Sequence, residues 1–353
     1  KPERTILMRV LVPYDGSQYS LGALRWIASI ALDPRSEIMI LHVVSNPIGK
    51  FTMDNFEDSE LRRQEAMVEY SGPLNDIAAE LSLWQRECKI VTRVKLGNVK
   101  ECILGVASEW KADLIVLATH EYSAWGKLVH KSLSQEIFNS ADCSVLIVKP
   151  TEEVQDGTIG QGGYRVLLPI QGSFYSSDTI SWLANQTWKE GTQIKLFMVV
   201  PEYKALLNGS IYDPAVSQLN DEWHLFKEKA FEMLEKHALN LGHQVGNNNV
   251  SISVVPGEPK HEILEMAKQW VPDIIALGSK GPKGTNNFIF DSVPSYIAAH
   301  CSSSVLVVKR QIGQEYRKKH QFETISLGDL FSSINARHRK KFDDDWKPHS
   351  ISF

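Results

Sequence analysis

The sequence predicts an α/β protein built from two tandem domains, each with a five-stranded parallel sheet wound with helices, followed by a helical tail. Two observations predict this class. The first is an internal repeat, because RVLVPYDGS at 9–17 returns as RVLLPIQGS at 165–173, and VLIVK at 145–149 returns as VLVVK at 305–309. The second is the alternation, within each copy, of short β-branched runs with helical periodicity, which is typical of parallel strands joined by helical crossovers.

The repeat sets the domain boundaries. Matching residues lie 156 positions apart at the first strand and 160 apart at the last, so the copies differ by a net insertion between their second and third strands. We therefore expect domain 1 at 1–150 and domain 2 at 164–310. The segment 151–163 is rich in glycine and polar residues, which is linker composition. Residues 311–353 match nothing in the first copy and form a separate tail.

The elements of the first copy follow in order along the chain. Five apolar runs predict buried strands, because a parallel sheet is covered on both faces. These runs are residues 10–12, 37–44, 89–94, 113–117 and 144–148. Between them, apolar residues recur on one helix face, first at Leu21, Leu24 and Ile27 and then within 56–81, 99–110 and 129–139. The second copy predicts strands at 165–169, 193–200, 250–255, 273–277 and 304–308.

Composition excludes several classes of protein. The formal net charge of −4 excludes a strongly basic protein that grips nucleic acid by bulk electrostatics. No apolar run approaches the roughly 20 residues that a membrane-spanning helix needs, and the N-terminus does not have the pattern of a signal peptide. The four cysteines form no C-x-x-C pair, which indicates thiols in a reducing compartment and disfavours a zinc site. We expect a cytoplasmic protein without a metal or a nucleic-acid partner.

Motifs at the strand ends resemble those of the universal stress protein (UspA-like) family. They are VPYDGS after the first strand, DLIVL at the fourth and CSVLIV at the fifth. The resemblance extends over both copies, so the chain is similar to a tandem universal stress protein with two Usp domains. It implies a Rossmann-like fold of the adenine nucleotide alpha hydrolase type. It also implies that the two domains pair through their last strands, here within one molecule.

Nucleotide-binding members of that family carry G-x2-G-x9-G-[ST] after the fourth strand and an aspartate after the first. Glycines let backbone N–H groups approach phosphate, and the helix that follows favours negative charge at its N-terminus. Domain 2 keeps Gly278 and Gly281, but Asp291 replaces the third glycine and Gln171 replaces the aspartate. A carboxylate facing phosphate is repulsive by roughly 1–4 kcal/mol. The nucleotide contacts expected in domain 2 are Pro169, Gln171, Val199, Gly278, Lys280, Gly281 and Ser292.

Domain 1 shows the reverse pattern of losses. It keeps Asp15, but Ala118, Glu121 and Lys131 stand at the three glycine positions. Its expected contacts are Pro13, Asp15, Val43, His120, Lys131 and Ser132. Neither copy has the whole motif, so binding of ATP or AMP is expected to be weak. Domain 2 is the better residual phosphate site, because it keeps Gly278 and Gly281 with the cation Lys280 between them. The alternative of a vestigial site kept for the fold stays open.

The tail predicts a short amphipathic helix. Leu327, Leu330, Phe331 and Ile334 fall on one face, and a basic cluster follows them. Such a helix docks on a protein, in cis or in trans, or on a membrane surface. The acidic run at 343–345 opposes anionic lipid, so we favour a protein partner for 311–353.

These observations predict a non-catalytic cytoplasmic stress-response or regulatory protein, with at most weak adenine-nucleotide binding in domain 2. No nucleophile elbow, P-loop or metal-ligand spacing points to catalysis. Two alternatives stay open. The chain begins at Lys1, which fits the cytosolic regulatory part of a larger membrane transporter or channel, and only in that case is membrane association expected. A slow ATPase is the other.

Overall fold

The computed structural model describes residues 7–45, 56–119, 133–170, 174–200, 215–279 and 292–309, and the statements below concern these residues. The strands are β1 Arg9–Pro13, β2 Glu37–Ser45, β3 Lys89–Gly97, β4 Leu114–Ala118, β5 Ser144–Val148, β6 Arg165–Ile170, β7 Gln193–Val200, β8 Val250–Pro256, β9 Ile274–Gly278 and β10 Ser304–Val308. The helices are α1 Gln18–Ser29, α2 Phe56–Trp84, α3 Val99–Trp110, α4 Leu133–Ser140, α5 Glu152–Asp156, α6 Phe174–Ala184, α7 Ala215–Val245, α8 Pro259–Trp270 and α9 Val293–His300.

All these strands lie in one sheet that runs through both domains. Its order is β3-β2-β1-β4-β5-β10-β9-β6-β7-β8, with parallel neighbours except at the centre. There β5 and β10 pair antiparallel, with Leu146 opposite Leu306. The strand order reverses between β1 and β4 and again between β6 and β9, and ligands of open α/β sheets bind at such points. The predicted α/β class with two five-stranded domains is confirmed.

The core forms two layers, one on each face of the sheet. Val10 and Val12 of β1 belong to one apolar cluster, and Leu11 between them belongs to the other. The joint between the domains is the antiparallel pair of β5 and β10. Each cluster contains residues of both domains, so the apolar layers continue across this joint. None of the helices in the described ranges combines the length and apolarity that a membrane-spanning helix needs.

The predicted fourth strands begin one residue too early. Asp113 and Asp273 were assigned to strands, but β4 begins at Leu114 and β9 at Ile274. The carboxylate of Asp113 instead accepts a hydrogen bond from the backbone N–H of Arg9 at 2.8 Å. The carboxylate of Asp273 does the same for Arg165 at 2.7 Å. Both aspartates therefore secure the start of the first strand of their own domain.

The segment between the domains is more than a polar linker. It contains α5, which Thr151 caps by accepting from the N–H of Val154. Val154 is buried and packs against Gly22 of α1, where the missing side chain leaves room for it. Further on, the hydroxyl of Tyr164 lies 2.6 Å from that of Ser29. A five-residue helix spans too few turns to produce an apolar period, so the sequence pattern did not reveal it.

The tail lies outside the described residues. The expected docking positions Leu327, Leu330, Phe331 and Ile334 therefore stay a sequence prediction.

Candidate functional site

A cavity of about 350 Å³ lies in domain 1 at the carboxyl ends of β1, β2 and β4. This is the point where the strand order reverses. Its apolar wall includes Leu41 and Val43 from β2, Ile103 from α3 and Leu117 from β4. Hydroxyl and carboxylate groups complete the lining on the side of α1 and α4. An apolar slot with a few polar groups at one end suits a small ligand that has a flat apolar part and a polar part.

The turn between β1 and α1 fixes the position of Asp15. Gly16 takes φ +84°, a left-handed conformation that glycine adopts without steric cost. The next residue, Ser17, caps α1 by accepting from the N–H of Ser20 at 3.2 Å. Asp15 Oδ1 accepts from the N–H of Ser17 at 3.0 Å and from the hydroxyl of Ser20 at 2.7 Å. These bonds give Asp15 a structural role and hold its carboxylate at the cavity wall.

Thr119 follows β4 directly and lines the cavity, and its hydroxyl is buried. Its side chain is 6% exposed, and Oγ1 has no hydrogen-bond partner among the described residues. A second cavity of about 10 Å³, room for about one water, lies on the other side of Thr119 against Val148 and Lys149. An unsatisfied buried hydroxyl costs about 1–3 kcal/mol, so a partner for Oγ1 would recover that energy.

The described lining carries little charge. Asp15 is the single formally charged residue among the described residues that line the cavity. Burial, and to a lesser extent the nearby charge of Asp15, raises the pKa of Tyr14 above its usual value, so its hydroxyl stays protonated. In the described part of the chain, no three His, Cys, Asp or Glu side chains come together to hold a metal ion. This part of the lining suits the uncharged portion of a ligand.

Three of the residues expected in domain 1 lie together in this cavity. Pro13, Asp15 and Val43 all line it. The other expected contacts, His120, Lys131 and Ser132, lie outside the described residues and stay predictions.

Thr119 lines the cavity but is not among the residues predicted from the sequence. The repeat held a signal for it, because Ser279 takes the same place after β9, so both copies carry a hydroxyl at the end of the fourth strand.

In domain 2, the described candidates lie at the corresponding edge of the sheet. Pro169, Val199 and Gly278 lie at the carboxyl ends of β6, β7 and β9. Ser292 caps α9, since its Oγ accepts from the N–H of Ser295 at 3.4 Å. The remaining candidates Gln171, Lys280 and Gly281 lie outside the described residues. The preference for domain 2 as the phosphate site therefore stays a prediction.

A family model, curated proteins and solved structures are all similar to this chain. A model of the universal stress protein family matches the chain twice, over residues 7–149 and 164–309. A universal stress protein of Mycolicibacterium smegmatis is 22% identical over 305 residues, covering 85% of this chain and 96% of that protein. A solved universal stress protein from Archaeoglobus fulgidus covers 86% of this chain and 97% of its own, at TM-score 0.57 and 16% identity. A universal stress protein solved with cAMP aligns with 42% of this chain and 99% of its own, at TM-score 0.30 and 14% identity.

Proposed function

Because this chain belongs to the universal stress protein family and carries two of its domains, we propose that it acts by binding a ligand rather than by catalysis. We propose an adenine nucleotide or nucleoside as that ligand and the domain 1 cavity as its site. Membership confirms the resemblance read from the strand-end motifs. The ligand class follows from what that resemblance implies, and the choice of site follows from the geometry of the described residues.

The buried hydroxyl of Thr119 is the observation that supports this site most directly. Thr119 lines a cavity that has an apolar wall beside Val43 and a carboxylate at Asp15, and its Oγ1 is buried behind this lining without a partner among the described residues. A flat base packs on aliphatic side chains, while ribose hydroxyls or ring nitrogens supply hydrogen bonds. A ligand group that bonds Thr119 Oγ1 would satisfy an atom that has no partner among the described residues. A water in the small neighbouring cavity is the competing partner.

Calorimetric titration of the full chain with ATP and AMP tests the proposal. We include cAMP, the molecule named for one solved relative, as a third probe. We expect weak but saturable binding of at least one of these nucleotides. If none of them binds at millimolar concentration, the proposed function is refuted.

A pair of matched variants locates the site. Thr119→Val keeps the shape of the side chain and removes the hydroxyl, and the loss of one hydrogen bond lowers affinity about five- to tenfold. Ser279→Ala is the control at the same position of domain 2 and should leave affinity unchanged. The opposite outcome assigns binding to domain 2, as the sequence motif predicted. If Thr119→Val alters stability but not affinity, a water rather than the ligand is the partner of Oγ1.

The regulatory role and the docking tail are proposals that rest on the sequence. The apolar face at 327–334 supports a protein partner, and a pull-down with the full chain and with a chain ending at Arg310 tests it. Identical partner sets would contradict the docking tail. Phosphate release from ATP at the rate of a buffer blank is expected for a binding protein, and a faster rate would revive the ATPase alternative.

A further inference from the structure

Two buried lysines cross the joint between the domains. Lys149 and Lys309 follow the last strands β5 and β10, and they are 1% and 7% exposed. Lys149 Nζ donates to the carbonyl of Ala298 in domain 2 at 2.8 Å. Lys309 Nζ donates to the carbonyls of Phe138 and Ala141 in domain 1, at 2.6 and 2.7 Å. Each domain thus holds the carboxyl end of a helix of the other, where a cation is favoured by the exposed carbonyls.

The backbone of each lysine is also anchored across the joint. The N–H of Lys309 donates to the hydroxyl of Ser144 in domain 1, and the N–H of Lys149 donates to that of Ser304 in domain 2, both at 3.2 Å. Antiparallel pairing of β5 with β10 brings each serine next to the opposite lysine. The lysines are therefore held at both the backbone and the side chain, which leaves them little freedom to move independently of the strands.

Helix α4, whose carboxyl end is hydrogen-bonded to Lys309, also forms part of the domain 1 cavity. Leu133 and Ser134, the first two residues of α4, line the cavity. The carbonyls that Lys309 binds lie at the other end, on Phe138 and on Ala141 just after the helix. A helix of eight residues is about 12 Å long, and buried Ile137 and Phe138 pack it against the sheet. A displacement at one end is therefore transmitted to the other, because packed interiors yield little.

We propose that domain 2 regulates the domain 1 cavity through Lys309 and α4, so that ligand affinity in domain 1 depends on a side chain of domain 2. Lys309 is a positioning residue in this scheme, since it holds α4 in place and does not line the described part of the cavity. Coupling of this kind is reciprocal, so an occupied cavity also changes how firmly α4 is held at the joint. The inference rests on the proposed function for the identity of the ligand, but not for the mechanical link.

The pseudo-symmetric lysine supplies a matched control. Lys149 is also buried and also crosses the joint, but it holds α9, which contributes no residue to the described lining of the domain 1 cavity. Lys149 itself lies against the small cavity beside Thr119, so Lys149→Met also reports any disturbance of the site from that side. Lys309→Met and Lys149→Met each remove the charge and the N–H donors while keeping a side chain of similar length. A general loosening of the joint would follow from either variant, whereas coupling through α4 would follow from Lys309→Met alone.

The affinity experiment titrates AMP into the wild-type full chain and into both variants. We expect Lys309→Met to change the dissociation constant about fivefold or more, within the usual range of coupling between sites. Lys149→Met should change it by a clearly smaller factor than Lys309→Met, although Lys149 lines the small cavity beside Thr119. Equal effects of the two variants, or no effect of either, would overturn the inference even if the wild type binds AMP. Absence of AMP binding to the wild type counts against AMP as the ligand and leaves the decision to the next measurement.

Hydrogen exchange of the ligand-free chains tests the mechanical link by itself. We expect Lys309→Met to speed amide exchange in α4 and also at 114–119, where the carbonyl of Ala118 accepts a hydrogen bond from the hydroxyl of Ser134 in α4 at 3.3 Å. Lys149→Met should speed it in α9. Faster exchange confined to α4, with 114–119 unchanged, would overturn the inference. If Lys309→Met does not fold, Lys309→Arg replaces it in both measurements, because it keeps the charge but places its N–H groups differently. The same criteria then apply.

Discussion

Each buried lysine is predicted to make a contribution to stability that rises with pH in the mildly alkaline range. Burial lowers the pKa of both Lys149 and Lys309 from 10.5 to about 8, because it penalises the charged ammonium. Between about pH 8 and pH 10.5 the unfolded chain binds the proton that the folded chain has lost. The contribution of each lysine to stability therefore increases as pH rises through this window and disappears as pH falls through 8. The helix-end carbonyls still receive N–H bonds from the neutral amine, which retains two donors.

The size of the effect follows from the displacement of the pKa. At about 1.4 kcal/mol per pH unit, each lysine contributes on the order of 3 kcal/mol across the whole window. Between pH 8 and pH 9.5 the expected gain is about 2 kcal/mol per lysine. Cys143, near Lys309, keeps its proton in the folded chain in this range, because burial raises the pKa of its thiol from 9.0 to about 11. The unfolded thiol loses its proton near pH 9, so this cysteine opposes part of the lysine contribution.

Urea unfolding at several pH values between 7 and 9.5 measures this gain. The comparison is between wild type and Lys309→Met, since groups that do not interact with Lys309 titrate alike in both chains and cancel in the difference. The variant also loses hydrogen bonds at the end of α4, but that loss shifts its stability by a nearly constant amount. The wild type should therefore gain about 2 kcal/mol over the variant from pH 8 to pH 9.5. If the difference in stability between the two chains does not change with pH, burial does not lower the pKa of Lys309 to about 8.

Two further predictions concern backbone conformation. Val271 takes φ 45° and is 62% exposed, so Val271→Gly should raise the free energy of unfolding by about 1 kcal/mol, measured in urea. Lys111→Gly, at φ 56° in the matching position, should gain less because lysine is not β-branched, and a larger gain there would contradict the reasoning. Gly163→Ala should cost about 3 kcal/mol or more, because a Cβ at φ +97° would overlap the backbone of Gly191. Gly162→Ala, at φ +82° with open space around it, should cost only about 1 kcal/mol, and equal losses would show that φ alone decides.

The sequence predicted the fold because the period of the apolar pattern and the internal repeat both report on local structure. The predicted strands agree with the observed ones within a few residues, and the predicted turn at Asp15 lies at the carboxyl edge of the sheet. The sequence did not predict the helix at 152–156, because five residues are too few to show a helical period of apolar residues. The repeat did reveal that a lysine follows each last strand. It could not reveal that Lys309 reaches α4, since that contact depends on how two separate domains pair.

The candidate site was harder to predict for a related reason. Motif positions record which residue types are present, and they pointed to Gly278 and Gly281 as the better preserved phosphate loop. The unsatisfied hydroxyl of Thr119 is a property of its surroundings, because a threonine after a strand is unremarkable unless it is buried without a partner. Burial and hydrogen bonding of that kind emerge only when β4, β5 and α1 are packed together.

Fusion of two copies in one chain allows their sites to become different. In a symmetric dimer of identical chains, every replacement appears in both sites at once. Here Asp15 of domain 1 corresponds to Gln171 of domain 2, and Ala118 corresponds to Gly278, so each copy departs from the motif at different positions. The joint has not diverged in the same manner, because both copies retain the lysine after the last strand. Since each lysine binds the helix of the opposite domain, loss of either would release one helix end, whereas loss of a motif residue in one copy leaves the other copy intact.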